Sequence, residues 1–139
     1  MTLHLIKLSV GSEDVDGLHR WQMQRLKRTG RLFHQTRMMP RRREELLAGG
    51  SIYWVIRGYV RARQRLTEIE AAVDEAGQRC TLLLLEPTLV RTVPRAHRAF
   101  QGWRYLMPED APPDLADAAA GVAEMPAEMA AELRELGLL

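Results

Sequence analysis

A short apolar run near the middle of the chain decides the kind of core that it can build. Between Ser51 and Arg57 stand only aromatic and β-branched residues, in the order Ile-Tyr-Trp-Val-Ile. These residue types favour the pleated backbone of a strand, and this run is the strongest strand signal in the chain. It therefore predicts a β-strand, and with it a fold organised around a sheet.

The first ten residues predict a second strand, from Thr2 to Val10. Apolar side chains fall on both of its faces, with Leu3 and Leu5 on one and Ile6, Leu8 and Val10 on the other. This pattern is typical of a strand that is buried in the centre of a sheet. Shorter strands are predicted at 32–38, at 80–85 and at 89–93.

Residues 59–73 fit two different periods. Apolar and arginine residues alternate through the first half, as in a strand with one exposed face, whereas Leu66, Ile69 and Val73 have helical spacing. We favour a strand that reaches about Glu70, because the Asp-Glu-Ala-Gly sequence that follows the segment is typical of a hairpin turn.

Helices are predicted between these strands. The first begins after Ser12, a good N-cap, includes Trp21 in its apolar stripe and ends near Arg28. A shorter helix is predicted over 41–48, between a proline and a Gly-Gly pair. A third, marginal helix would start near Pro126. The predicted fold class is α+β: a small mixed sheet or pseudo-barrel with a long N-terminal helix, a short second helix and a helical or frayed acidic C-terminal tail.

Charge divides the chain into two parts. Nineteen of the 20 Lys and Arg residues precede residue 109, and eight of the 18 Asp and Glu residues follow residue 108. We therefore predict a basic α+β domain, 1–108, and an acidic Pro/Ala/Glu-rich tail, 109–139. Most of the cations are arginine, whose planar guanidinium suits phosphate groups and aromatic rings. A basic body of this kind predicts a polyanionic partner, with RNA or another single strand favoured over duplex DNA.

The candidate binding residues come from two arginine-rich segments. Alternate side chains of a strand share a face, so the arginines between 61 and 65 would project together. Near residue 100 basic and aromatic side chains interleave, as a surface for stacked bases and phosphates requires. The predicted nucleic-acid-binding residues are Arg57, Arg61, Arg63, Arg65, Arg98, Trp103 and Arg104. The alternatives are solvation or pairing with carboxylates for the arginines, and burial in the core for Phe100 and Tyr105.

Five segments carry a resemblance to a known family: His34–Pro40, Gly49–Gly58, Arg63–Arg65, Arg98–Leu106 and Asp110–Leu115. In their Trp- and Arg-containing blocks the chain resembles an uncharacterised domain-of-unknown-function family of alphaproteobacteria, number 1489. The resemblance covers residues 1 to about 115 and leaves the tail outside. Because that family has no assigned activity, the resemblance implies no catalytic or binding residue.

A second similarity concerns architecture alone. A Gly-Gly step into a Tyr-Trp-Val strand, followed by a long hairpin, is similar to the small barrels of the PUA-like group, with its ASCH and EVE relatives. Several of those domains bind RNA or modified bases. The similarity implies a pseudo-barrel, and as an analogy between folds it adds little about function.

Catalysis stays open at this point. His34 and Thr36 would share one strand face near Lys7 or Glu45, where they could form a small hydrolytic site. The arginines that would hold a nucleotide-like or phosphorylated substrate there are Arg57, Arg63 and Arg104. An interaction module, whose basic face takes an acidic protein or its own tail, is a third hypothesis.

The sequence predicts neither a metal nor a cofactor. The four histidines lack ligand spacing, and the lone Cys80, expected to be a small buried hydrophobe, can form neither an internal disulfide nor a structural zinc site. No stretch approaches the roughly 18 apolar residues of a membrane span, and the first residues do not resemble a signal peptide. The expected address is therefore the cytoplasm, with no membrane partner, while the sequence leaves the oligomeric state undetermined.

Overall fold

The computed structural model describes residues 2–120, without the side chains of 118–120. Its elements in chain order are β1 (His4–Leu8), α1 (Val15–Thr29), β2 (Phe33–Thr36), α2 (Arg43–Leu47), β3 (Ser51–Ile56), β4 (Tyr59–Val73), β5 (Arg79–Leu85), β6 (Val90–Ala96), β7 (Trp103–Leu106), a 3-10 turn (Pro108–Asp110) and α3 (Leu115–Ala120). No helix in this part of the chain is long and apolar enough to cross a membrane.

The seven strands form one open, mixed sheet. Their order is β2-β5-β4-β3-β1-β7, and β6 pairs with β4 beside this path. The pairing of β1 with β3 is parallel, and the other pairings between these strands are antiparallel. The prediction of an α+β fold on a mixed sheet is confirmed at this level.

The central strand β3 is buried along its whole length. Ile52, Trp54 and Ile56 face a core that α1 covers, whereas Tyr53 and Val55 face a second core on the other side of the sheet. Burial of each large apolar side chain contributes roughly 1.5–3 kcal/mol to stability. The run that predicted a strand therefore holds two layers of packing together.

The ambiguous segment forms the long strand β4. Its first half pairs with β3 and β6, and its second half pairs with β5. The turn after it is closed by Asp74, whose carboxylate accepts hydrogen bonds from the backbone N–H groups of Ala76 and Gln78 at 3.0 and 2.9 Å. The predicted strand and hairpin are confirmed, and Cys80 is buried in β5 as expected.

Helix α1 differs from its prediction in its cap and its buried stripe. Its N-cap is Asp14, whose carboxylate accepts from the Gly17 N–H at 2.7 Å, so the assignment of this role to Ser12 was wrong. The buried stripe is Val15, Leu18 and Gln22, and Trp21 is 50% exposed rather than part of it. Trp21 lies about 100° around the helix from the stripe's centre line, which places it beside the core rather than in it.

Two strand boundaries also differ from expectation. The first strand ends at Leu8, so Val10 lies beyond it and is 82% exposed. Strand β6 runs through Pro94, which we expected to separate two pieces. The pairing of β4 with β6 shifts between Val60 and Ala62, and a proline is tolerated at such an irregularity because no ladder hydrogen bond from its nitrogen is needed.

Strand β7 and helix α3 were not predicted. β7 is short and gains its stability from pairing with β1, a contact that no local pattern reveals. The acidic segment is bound to the sheet where it begins, since Thr92 and Asp114 form a bridge. The predicted helix near Pro126, and the tail beyond residue 120, lie outside the described residues.

Candidate ligand-binding site

Arg63 is neutralised by the chain's own acidic segment. Its Nε and Nη2 atoms donate to the two carboxylate oxygens of Asp114 at 2.6 and 2.7 Å, and its Nη1 donates to Ser51 Oγ at 3.1 Å. The Asp114 carboxylate raises the pKa of Arg63. A bidentate pair of this kind leaves little of the guanidinium for a second anion.

Three of the other predicted arginines lie around the turn between β3 and β4. Arg57 has a positive φ of 52° and lies 3.8 Å from a carboxylate oxygen of Glu13. Arg61 donates to the Ile56 carbonyl at 3.1 Å. The segment that carries Arg98 joins this turn through a backbone hydrogen bond from its neighbour His97. Arg65 is exposed farther along β4.

The segment around residue 100 splits between the two faces of the sheet. Register pairs Trp103 with Lys7 and Arg104 with Ile6, so the two side chains of β7 point in opposite directions. The Trp103 indole donates to the Met38 carbonyl at 3.0 Å, while Arg104 lies over the ring of Phe100. The seven predicted binding residues are therefore not brought together on one surface.

Ion pairs occupy many of the remaining arginines. Among residues 2–120 the pairs are Arg31–Glu70, Arg37–Asp74, Arg42–Glu45, Arg43–Glu68, Arg57–Glu13, Arg63–Asp114 and Arg91–Asp16. Most of these pairs are exposed, so each contributes on the order of 1 kcal/mol or less to stability. Their larger effect is to cancel positive charge locally.

One exposed stripe of α1 keeps its charge. Its members, which we call the α1 ridge, are Arg20, Trp21, Gln24, Arg25 and Arg28. The Arg25 guanidinium lies 5.2 Å from the centre of the Trp21 ring and 4.5 Å from that of Phe33. None of the ridge arginines forms an ion pair with a described residue. Burial and the adjacent Arg28 lower the pKa of Arg25, as expected where cations crowd without a counter-charge.

A cavity of about 430 Å³ opens beside the α1 ridge. Its walls come from the end of β1, the 9–12 loop, α1 and β2, and Arg20 and Trp21 stand at its rim. A volume of this size lies within the range of small-molecule sites, roughly 300–1,000 Å³. Among the described residues that line it, none is Asp, Glu or Cys, so its charge is positive.

His34 and Lys7 lie together in this cavity. The His34 ring meets Trp54 edge-on, with 5.5 Å between ring centres, and its Nε2 atom is buried without a hydrogen-bond partner among the described groups. Burial, with help from the charges of Lys7 and Arg25, lowers the pKa of His34 to about 4. Burial also lowers the pKa of Lys7. At neutral pH the imidazole is therefore uncharged and able to make a hydrogen bond.

A pair of glutamines fixes the floor of the cavity. Gln22 and Gln64 exchange side-chain hydrogen bonds of 2.9 and 2.8 Å, and the Trp54 indole donates to Gln64 at 3.2 Å. Sequence reasoning missed this pair. A signal was present, because Gln22 follows Val15 and Leu18 on the buried stripe of α1.

The expectation that His34 lies near Lys7 agrees with the structure, but the expected arginines do not join them. Arg57, Arg63 and Arg104 are absent from the described lining. The sequence also passed over the ridge arginines, because charged residues on a helix are most often a solvated face. Among residues 2–120 no group of three His, Cys, Asp or Glu side chains is placed to hold a metal ion.

Comparison with known proteins gives a family and no function. The family model described as a protein of unknown function (DUF1489) matches residues 5–139. The match includes the acidic tail, so the expectation that the resemblance ends near residue 115 was wrong. No curated protein and no solved structure matches the chain.

Proposed function

Because the chain belongs to that DUF1489 family of proteins of unknown function, we propose its function from its own surface: it binds single-stranded nucleic acid, RNA in particular, without catalysing a reaction. The single observation that carries this proposal is the α1 ridge, where an exposed tryptophan lies among arginines that have no counter-charge within the described chain. The proposed compartment is the cytoplasm.

The α1 ridge offers the two interactions that a single strand needs. Its arginines are one helical turn apart, so Arg20, Gln24 and Arg28 can contact successive phosphates along one side of α1. Trp21 and the Arg25 guanidinium present flat surfaces on which bases can stack, each stacked base contributing roughly 1–3 kcal/mol. Stacking of this kind requires unstacked bases, which favours a single strand over a duplex.

The PUA-like analogy is part of the same proposal. It is supported by the Gly49–Gly50 step into β3 and by the long hairpin of β4 and β5. The sheet is open, and the likeness concerns these local features. It agrees with RNA binding but adds no residue to the proposed surface.

A hydrolase remains the second candidate, because His34 and Lys7 lie together in a cavity. Its weakness is the missing partner. A general base needs a group that orients it, and the described lining offers neither a carboxylate nor a thiol for this role. Binding accounts for the same residues without that gap, so we place it first.

Fluorescence anisotropy with a labelled single-stranded RNA of about twelve nucleotides tests the proposal. The ridge variant combines Arg20→Ala, Arg25→Ala and Arg28→Ala. A control with the same change of charge combines Arg57→Ala, Arg61→Ala and Arg98→Ala. We expect the ridge variant to lose about 100-fold in affinity at low salt, since each charge-assisted contact contributes roughly 1–3 kcal/mol.

Salt dependence supplies the second readout. Wild-type affinity should fall steeply between roughly 50 and 200 mM salt, and the slope should decrease by about 2 in the ridge variant, or about 0.7 per lost phosphate contact. The control should stay within about threefold of wild type. Absence of binding at the lower salt concentration, or equal losses in both variants, contradicts the proposal.

A further inference from the structure

The cavity behind the α1 ridge contains a buried polar atom that no described group satisfies. The Nε2 atom of His34 has no hydrogen-bond partner, and contact with Trp54 holds the ring in place. Unsatisfied buried polar atoms are uncommon in native proteins, since the lost hydrogen bond to water is not replaced. Here the atom lies in the wall of an open cavity, where a ligand can supply the missing partner.

The chemistry of the walls narrows the ligand. Phe33 and Trp54 contribute aromatic surface, and Trp21 stands half-exposed at the rim. Gln22 uses one amide hydrogen for Gln64 and keeps the other free, while Lys7 adds an ammonium group. A flat, polar, anionic molecule fits such walls: the rings favour stacking, and the donors favour carbonyl or phosphate oxygens.

The sheet register explains why Lys7 is available. On neighbouring strands Lys7 is paired with Trp54 on one side and Trp103 on the other, so its stem lies between two indoles on the α1 face. None of the described residues forms an ion pair with it. A buried stem with a free ammonium group is therefore preset for an anion or a carbonyl oxygen.

We propose that this cavity is a binding site for one nucleotide, whose base enters among Trp54, Phe33 and His34 while its phosphate stays at the rim with Arg20. The inference rests on the proposed function, because the nucleotide comes from the strand that lies along the α1 ridge. A free mononucleotide has the same chemistry and binds the same site. Gln22 and Lys7 donate to the edge of the base, and the His34 ring nitrogen completes its hydrogen bonding.

Isothermal titration calorimetry with free ligands tests the site. The probes are uridine and guanosine monophosphates, with ribose 5-phosphate and inorganic phosphate as ligands that lack the base. We expect at least one of the nucleotides to bind about tenfold or more tightly than either control ligand, because the base supplies the stacking and the hydrogen bonds. Equal affinity for ribose 5-phosphate overturns the inference, because the cavity would then hold no base.

Variants locate the binding. His34→Leu and Lys7→Met should each weaken nucleotide binding about tenfold, whereas Thr36→Val, on the same strand but outside the cavity, should leave it unchanged. His34→Leu removes an unsatisfied atom, so its melting temperature should not fall below that of wild type. If that variant fails to fold, Lys7→Met decides the question, and a site insensitive to Lys7→Met overturns the inference.

The two proposals can fail separately. Binding of the RNA without binding of any mononucleotide overturns the cavity site and leaves the proposed function standing. Mononucleotide binding that depends on His34 and Lys7, without binding of the RNA, overturns the proposed function and supports the cavity site. Absence of both overturns both. Arg28→Ala, outside the cavity, should weaken RNA binding alone.

Discussion

His34 is the described residue whose titration departs furthest from its ordinary range. Its ring is packed against Trp54 on β3, and the cations that face it are Lys7 on β1 and Arg25 on α1. Burial first, and these two charges second, disfavour the imidazolium and lower the pKa of His34 to about 4. An uncharged imidazole among cations suits a site that makes hydrogen bonds to a neutral base.

This shift predicts a pH-dependent stability. Above the ordinary histidine pKa of about 6.5, neither the folded nor the unfolded state is protonated at His34, and its contribution is constant. As the pH falls from about 6.5 to 4 only the unfolded state gains the proton, so the free energy of unfolding should fall by up to about 1.4 kcal/mol per pH unit. Urea denaturation at pH 7 and pH 5 should show a loss of about 2 kcal/mol from this group.

His34→Leu provides the control for that slope. The variant should lose most of the pH dependence, with a smaller part remaining because burial also lowers the pKa of His4. An unchanged slope in the variant would show that His34 is not held neutral by the fold.

At the scale of elements, the sequence predicted what is determined locally. The strand β3 and the hairpin after β4 follow from residue type and turn chemistry, and the alternating burial of β4 follows from its period of two. The short strand β7 depends on pairing with β1, and the Arg63–Asp114 pair joins residues 51 positions apart. Contacts over such distances leave no local pattern, so sequence reasoning missed them.

The Gly-Gly step between α2 and β3 shows how tightly these elements are joined. A Cβ atom at Gly50 would lie 2.3 Å from the carbonyl oxygen of Leu46 and 2.4 Å from that of Leu3. Both obstacles are backbone atoms, which cannot rotate away as a side chain can. At Gly49 a Cβ atom would meet open space, although the φ of 97° is unfavourable for other residues.

The two glycines therefore make a matched pair of variants. Gly49→Ala should reduce the free energy of unfolding by about 1–2 kcal/mol, the usual penalty for a left-handed backbone. Gly50→Ala should reduce it by about 4 kcal/mol or more, because α2 or β1 must move to admit the methyl group. Chemical denaturation monitored by circular dichroism measures both. Similar losses would contradict the close approach seen at Gly50.

At the scale of the whole molecule, net charge was a better guide than the position of individual arginines. The basic body predicted a polyanionic partner, and that stays a prediction. The choice of residues followed the densest arginine segments, yet many of those side chains pair with carboxylates or point to different faces. The cations without a counter-charge on α1 are spaced along a helix whose exposed face has an ordinary polar pattern. Only the fold shows that Trp21 and a cavity lie beside them.

The chain contains three tryptophans, and they make one spectrum decisive. Indole N–H resonances can be followed by two-dimensional NMR while a single-stranded RNA of about twelve nucleotides is added. If the strand lies along the α1 ridge, the Trp21 resonance should shift most, and that of Trp54 should follow as a base enters the cavity. The resonance of Trp103, whose indole is bonded to the Met38 carbonyl, should stay in place. A shift of Trp103 with Trp21 unmoved would contradict the account and return the binding surface to the β7 side of the sheet.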